Sequence, residues 1–96
     1  MTLVTVEATL APGTLPDAFA LLAREAAAVR RMTGCAHYAF FRSPDGEDIA
    51  IVQRWHTRDA FEAYRTSDAF ARLGAGLKPM MSAPPTTTIA RFEAPG

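Results

Sequence analysis

The chain predicts a small α+β domain with the element order strand, helix, strand, strand, helix, strand, on three observations. A β-branched run opens the sequence, an apolar stripe at helical spacing follows it, and two strand-like runs then meet at a Ser-Pro-Asp-Gly turn and lead into a second capped helix. The first strand is expected over Thr2 to Leu10, with one charge, Glu7, and with Val4, Val6, Ala8 and Leu10 on one face. Pro12-Gly13 breaks it. Thr14, followed three positions later by Asp17, predicts an acidic form of the capping box, with Pro16 tolerated in the first turn. Leu15, Phe19, Leu22, Ala26 and Val29 then recur at spacings of 4, 3, 4 and 3, one stripe of a helix ending near Met32-Thr33-Gly34. Arg24, Glu25 and Arg31 are expected on its opposite, solvated face.

Cys35 to Arg42 and Asp48 to Trp55 read as a hairpin around Ser43-Pro44-Asp45-Gly46, where Pro presets one turn angle and Gly accepts positive φ. With Arg42 opposite Ile49, Tyr38 faces Gln53 and Phe40 faces Ile51. Tyr38, Phe40, Ile49, Ile51, Gln53 and Trp55 then share one side, and His37, Ala39, Phe41, Ala50, Val52 and Arg54 the other. Thr57 caps a helix over Arg58 to Arg65, and Ser67-Asp68 caps a continuation carrying Phe70, Leu73 and Leu77, which Gly74, Gly76 and Pro79 are expected to end. Met80 to Pro85 reads as a loop that either closes over a cavity or packs on the core, and Thr86 to Glu93 as the last strand.

This order is the split βαβ, ferredoxin-like pattern: an antiparallel four-stranded sheet with both helices on one face. The other face, with Leu3, Thr5, Ala39, Phe41 and Val52, is too apolar to be left in water, and two such sheets packed face to face would cover it as a homodimer. The 96 residues suffice for one domain over 1–96, and a domain this small buries only about two-thirds of the surface that its unfolded chain exposes. Ten basic and ten acidic residues cancel, which removes the electrostatic footprint of a nucleic-acid binder. The single Cys35 forms no intramolecular disulfide, and no Cys/His cluster has metal-ligand spacing. With no apolar run near the roughly 20 residues of a membrane span and no signal-like start, a cytoplasmic protein without membrane contact is expected.

Gly34-Cys35 before the second strand, Tyr38 and Arg42 within it, Trp55 closing the third, Phe61 and Tyr64 on the helix, Ser67-Asp68-Ala69-Phe70, and Pro84 before the last strand resemble the antibiotic biosynthesis monooxygenase family of dimeric α/β-barrel proteins. The resemblance spans nearly the whole chain and implies a homodimer with a pocket in each subunit, between the helices and the sheet. Family activities include cofactor-free oxygenation of polyketide anthrones and quinols and haem degradation; related barrels are isomerases, cyclases or decarboxylases. The reading taken from it is a cofactor-independent monooxygenase that oxidises a flat, electron-rich aromatic to a quinone with O2. Its alternatives are an isomerase, cyclase or lyase of the same superfamily and a non-catalytic small-molecule binder.

Under that resemblance Trp55, Gln53 and Tyr64 are the candidate catalytic residues, and Tyr38, Phe40, Ile51, Phe61, Phe70 and Arg72 the candidate substrate-binding ones. Trp55 reads as pocket wall or as core; Phe61, Tyr64 and Phe70 read as ligand contacts or as the helix's own core stripe. Many members carry Glu two residues before this Trp, where a carboxylate in an apolar pocket takes a proton; Gln53 orients a substrate oxygen instead, or is satisfied across the hairpin. Anthrone-type members place Asn four residues before the Trp, where this chain has Ile51. The haem-degrading members' axial His and first-strand Asn fall on Gly74 and Val6, so no haem and no metal is expected. His37 and His56 titrate near neutrality when unperturbed, but neither is placed as a base: His37 falls on the dimer-facing side and His56 beside the second helix.

Overall fold

The computed structural model describes residues 1–93; the last three residues of the expected domain lie outside the described residues. The elements are β1 (Thr2–Thr9), α1 (Leu15–Arg30), β2 (Cys35–Arg42), β3 (Asp48–Trp55), α2 (Arg58–Arg65), α3 (Asp68–Leu77), a 3-10 turn (Lys78–Met80) and β4 (Thr86–Arg91). Their strands form one antiparallel sheet in the order β2-β3-β1-β4. This is the predicted ferredoxin-like α+β fold, with the second helix divided in two.

The hairpin register is the expected one, with Arg42 opposite Ile49, Phe40 opposite Ile51 and Tyr38 opposite Gln53. A bulge between Cys35 and His37 adds a feature that alternation alone does not predict. It sets Cys35 opposite Trp55, so that Cys35 packs against the core instead of following His37 to the open face. Val4, Ala8, Tyr38, Ile49, Ile51 and Trp55 meet Ala18, Leu22, Ala26 and Val29 of α1 and Phe61, Tyr64, Leu73 and Leu77 of α2 and α3 in one buried cluster. On the opposite face Phe41 is 53% exposed, and Leu3, Ala39 and Val52 are half-buried.

Four expectations change. Thr14 has a helical backbone, and its hydroxyl donates to the Ala11 carbonyl at 2.7 Å, so α1 begins without the capping box. Glu25 is not on a solvated face: it is 5% exposed, and its carboxylate accepts from Arg72 Nε of α3 at 3.0 Å and Arg24 Nε at 3.5 Å. Because Glu25 falls at the junction of α1 and α3, burial comes with its charge partner. Gly74 and Gly76 lie inside α3 instead of ending it; the helix runs on to Leu77 because its apolar stripe packs on the sheet, and tertiary packing outweighs the weak helix propensity of glycine. Finally, β4 ends at Arg91, although Met1 and Phe92 still exchange backbone hydrogen bonds at 3.0 Å beyond it.

Two side-chain caps carry α2 and α3. Thr57 accepts from the Ala60 N–H at 3.1 Å and Ser67 from the Phe70 N–H at 3.2 Å, as the sequence predicts. The entry to α2 is further fixed by Gly34, at φ +84°, whose carbonyl accepts from His56 N at 2.8 Å and whose missing side chain admits Ala60. The Met80–Met81 segment is tied down: Ala11 N donates to Met80 O at 2.7 Å, and Leu10 bridges to Met81. No helix among the described residues is long and apolar enough to cross a membrane.

The two glycines predict opposite responses. A Cβ at Gly34 would lie 2.5 Å from Ala60 Cβ on a left-handed backbone, so Gly34→Ala is expected to lower the unfolding free energy by about 1–3 kcal/mol. At Gly74 an added Cβ meets nothing within 4 Å, and Gly74→Ala should raise it by about 0.5–1 kcal/mol through helix propensity. Denaturant titrations of both variants check the signs.

Candidate active site

A cavity of about 400 Å3 lies between α3 and the helix-side face of the sheet. Strand alternation builds one wall: Ile49, Ile51 and Gln53 of β3, Val6 and Ala8 of β1 and Thr87 of β4. Helical spacing builds the other, with Phe70, Leu73, Gly74 and Leu77 on the same side of α3 and Tyr64 contributed by α2. The side chain that Gly74 lacks leaves room there. Met81, Pro85 and the exposed Lys78 contribute at the end of α3, and Phe70, 40% exposed, stands where the cavity meets solvent.

Gln53 and Tyr64 form a polar end of the cavity, with Trp55 and Tyr38 standing behind them. Trp55 Nε1 donates to Gln53 Oε1 at 3.0 Å, and the Tyr38 and Tyr64 hydroxyls lie 3.2 Å apart. All four residues are at most 2% exposed. The Tyr64 ring stacks on Trp55, with centroids 5.2 Å apart and planes 23° from parallel, and meets the Phe70 ring edge-on at 5.3 Å. Such pairs contribute about 0.5–1.5 kcal/mol each beyond area burial. Burial raises the pKa of Tyr64, partly opposed by its hydrogen bond with Tyr38, so its phenol is neutral near neutral pH. Burial, then the proximity of Tyr64, raises Tyr38 strongly. The Cys35 thiol is also raised by burial and is not poised as a nucleophile.

Of the sequence-predicted residues, Gln53, Tyr64, Ile51 and Phe70 line the cavity. Trp55, Phe61 and Tyr38 stand behind its surface. Trp55 is fully buried because α2 closes over the end of β3, and Phe61 packs against it at 6.3 Å. Phe40 turns to α1, where it meets Phe19 edge-on at 5.2 Å. Arg72 does not turn into the cavity; its guanidinium reaches Glu25 instead. His37 pairs with Arg54 in the hairpin register, His56 is exposed, and neither lines the cavity.

Among the lining residues that sequence reasoning missed are Val6, Ala8, Gly74, Lys78 and Thr87, while Met81 belongs to the loop for which closing over a cavity was one alternative. The signal for Gly74 was present: it is four residues after Phe70, on the helix face already assigned to Phe70, Leu73 and Leu77. Among the described residues no carboxylate or imidazole lines this cavity, and no group of three His, Cys, Asp or Glu side chains is placed to hold a metal ion. A second cleft, of about 430 Å3, lies near the β2–β3 turn; Phe41 and the charged Glu7, Arg42 and Asp48 border it. It contains none of the candidate residues.

A sequence model of the antibiotic biosynthesis monooxygenase family matches residues 1–75. No curated protein matches the chain. Among solved structures, an antibiotic biosynthesis monooxygenase superposes with a TM-score of 0.90 at 16% identity, over 98% of this chain and 100% of that one. Rv0793 from Mycobacterium tuberculosis gives 0.89 at 21% identity, over 98% and 96% of the two chains. PA3566 from Pseudomonas aeruginosa gives 0.85 at 18% identity, over 97% and 94%. At these identities the structures support the fold alone, and the family match carries the assignment: by sequence this chain belongs to the antibiotic biosynthesis monooxygenase family.

Proposed function

We propose that the chain is a cofactor-independent monooxygenase, working as a homodimer, that oxidises a flat, electron-rich aromatic such as an anthrone, quinol or polyketide phenol with O2. The observation that carries the reading is one apolar cavity of about 400 Å3 with the buried side chains of Gln53 and Tyr64 at its polar end. Its size falls among small-molecule clefts, and its Ile, Leu and Phe walls suit a flat apolar guest. Family membership supports the reaction class.

An anthrone-like substrate balances without a redox group on the protein. Its ring methylene loses a proton to water, and the resulting anion passes one electron to O2. The two radicals join in a carbon–oxygen bond, giving a peroxide. Loss of the second methylene proton with cleavage of the O–O bond leaves a carbonyl and releases water. The methylene gives up four electrons, which reduce both oxygen atoms. The protein's tasks are to position the ring, exclude bulk water and stabilise the anionic oxygen conjugated with the reacting carbon. A non-catalytic binding role is the second reading, favoured by the absence of a carboxylate or imidazole from the cavity lining among the described residues. The same observation counts against an isomerase, cyclase or lyase that needs a general base.

The dimer is supported by the open sheet face. Leu3, Ala39 and Val52 are half-buried around the exposed Phe41, and a second copy of the same sheet would remove this patch from water.

Three outcomes follow from these readings. Purified protein with no added cofactor should consume one O2 per anthrone and release the quinone; no uptake across anthrones, naphthols and quinols, with a ligand bound unchanged, would establish the binding role. Tyr64→Phe keeps the ring and removes the hydroxyl, and should lower kcat roughly 100-fold, as loss of an oxyanion donor does; single-turnover kinetics check it. Phe41→Arg should raise the dimer dissociation constant by at least about 30-fold, the level of an interface hot spot, read by sedimentation velocity; an unchanged dimer places the interface elsewhere.

A further inference from the structure

Trp55 and Tyr38 do not line the cavity, yet each donates its one polar hydrogen within the group of side chains that includes the two residues lining its polar end. An indole N–H only donates, so the contact from Trp55 Nε1 fixes which way the Gln53 amide points: Oε1 faces the indole. Gln53 Nε2 then has no acceptor among the described residues. It is not among the fully enclosed unpartnered atoms, which leaves it open to the cavity that Gln53 lines. The same accounting applies to the tyrosines. Tyr38 is 2% exposed, and the Tyr64 oxygen, at 3.2 Å, is the only partner of its hydroxyl among the described residues. Tyr64 lines the cavity and can meet an acceptor there, whereas Tyr38 has no other partner and leaving its buried O–H unpaired is costly, so we take Tyr38 as the donor of the pair. Tyr64, which lines the cavity, keeps a proton without an acceptor. Lys78 adds an ammonium at the end of α3.

We infer that Trp55 and Tyr38 are positioning residues that set the polarity of the cavity, turning the Gln53 amide and the Tyr64 hydroxyl into paired donors, so that the site takes its ligand as an oxyanion: a phenolate or enolate of an acidic aromatic. The inference rests on the reading of this cavity as the substrate site. It removes the need for a base in the lining, because a site that binds the anion more tightly than the neutral acid lowers the acid's pKa on binding. The neighbouring charges are consistent with this. Tyr64 is close to Tyr38 and Cys35 of β2 and to Glu25 of α1, and Tyr38 also to Arg30, whose Nε donates to the Tyr38 carbonyl at 2.9 Å. Glu25 is the one acidic group among them, and Arg72 and Arg24 both hold it. Tyr64 itself remains protonated because burial raises its pKa.

The test uses 4-nitro-1-naphthol, whose two ionisation states differ in visible absorbance, and 1-nitronaphthalene as its non-ionisable counterpart. Neither probe depends on reaction with O2, so the result is independent of whether the protein is an oxygenase. Bound to the full-length protein, the naphthol should titrate at least about one pH unit below its value in water, equivalent to 10-fold tighter binding of the anion. Tyr38→Phe and Trp55→Phe each keep an aromatic ring and remove one donor; each should reduce that preference about 3- to 10-fold, and in Tyr38→Phe 1-nitronaphthalene should bind as before. Tyr38→Phe, which removes a single oxygen, decides the matter if Trp55→Phe does not fold. An unshifted or raised pKa in the wild-type protein overturns the inference, as does an equal loss of both probes in the variants, which would mark a packing role. Failure of either probe to bind, or binding unaffected by Gly74→Leu, overturns it together with the site. A shifted pKa without O2 uptake sustains it and removes only the oxygenase reading.

Discussion

The indole of Trp55 is the contact on which the site and the helix layer both depend. It is fully buried at the end of β3, stacks on Tyr64 and packs against Phe61, so a single strand residue holds α2 against the sheet. Its N–H is satisfied within its own strand, two residues back, at Gln53. Residues two apart in a strand share a face, so this contact is local and does not depend on the placement of any helix. The stack with Tyr64 then relates the helix to a polar end that the strand has already built.

That arrangement requires α2 to leave β3 at a defined place. Gly34 allows it by letting Ala60 approach the start of β2 more closely than any side chain would permit, while its carbonyl accepts from His56. The bulge after Cys35 acts at the same point by bringing Cys35 opposite Trp55. Thr57 caps the helix that follows. Backbone conformation, strand register and helix cap therefore converge within a few residues of Trp55, which is why Tyr64 arrives over the indole.

Most of the fold was legible because its signals were periodic. The hairpin register followed from alternation and one turn, and the starts of α2 and α3 from Thr57 and Ser67. Glu25 was misread because an amphipathic stripe says which face is apolar, not which charged residue will meet a partner from another helix; Arg72 is 47 residues away in sequence. Arg72 was misplaced for the same reason. The reach of α3 to Leu77 was read correctly, but Gly74 and Gly76 were taken as terminators because glycine propensity was weighed without the packing of Leu73 and Leu77. In the site, strand alternation correctly put Gln53 and Ile51 on the helix side, while the depth of Trp55 depended on how far α2 closes over it, which is a tertiary quantity.

On the proposed reading of the cavity, position 53 sets its chemical character. With Glu there, the indole would hold one carboxylate oxygen and leave the other as an acceptor, a group able to take a proton. Gln53 presents the same oxygen to the same indole, and what remains is an N–H donor. One atom thus changes the end of an otherwise unaltered cavity from proton-accepting to proton-donating. A donor in an apolar enclosure interacts with an anion more strongly than it would in water, since less solvent competes for either partner. The fold and the hydrogen bond from Trp55 need not change for this reversal, so on the proposed reading the chemistry of the site depends on the side chain at 53 more than on the shape of the walls around it.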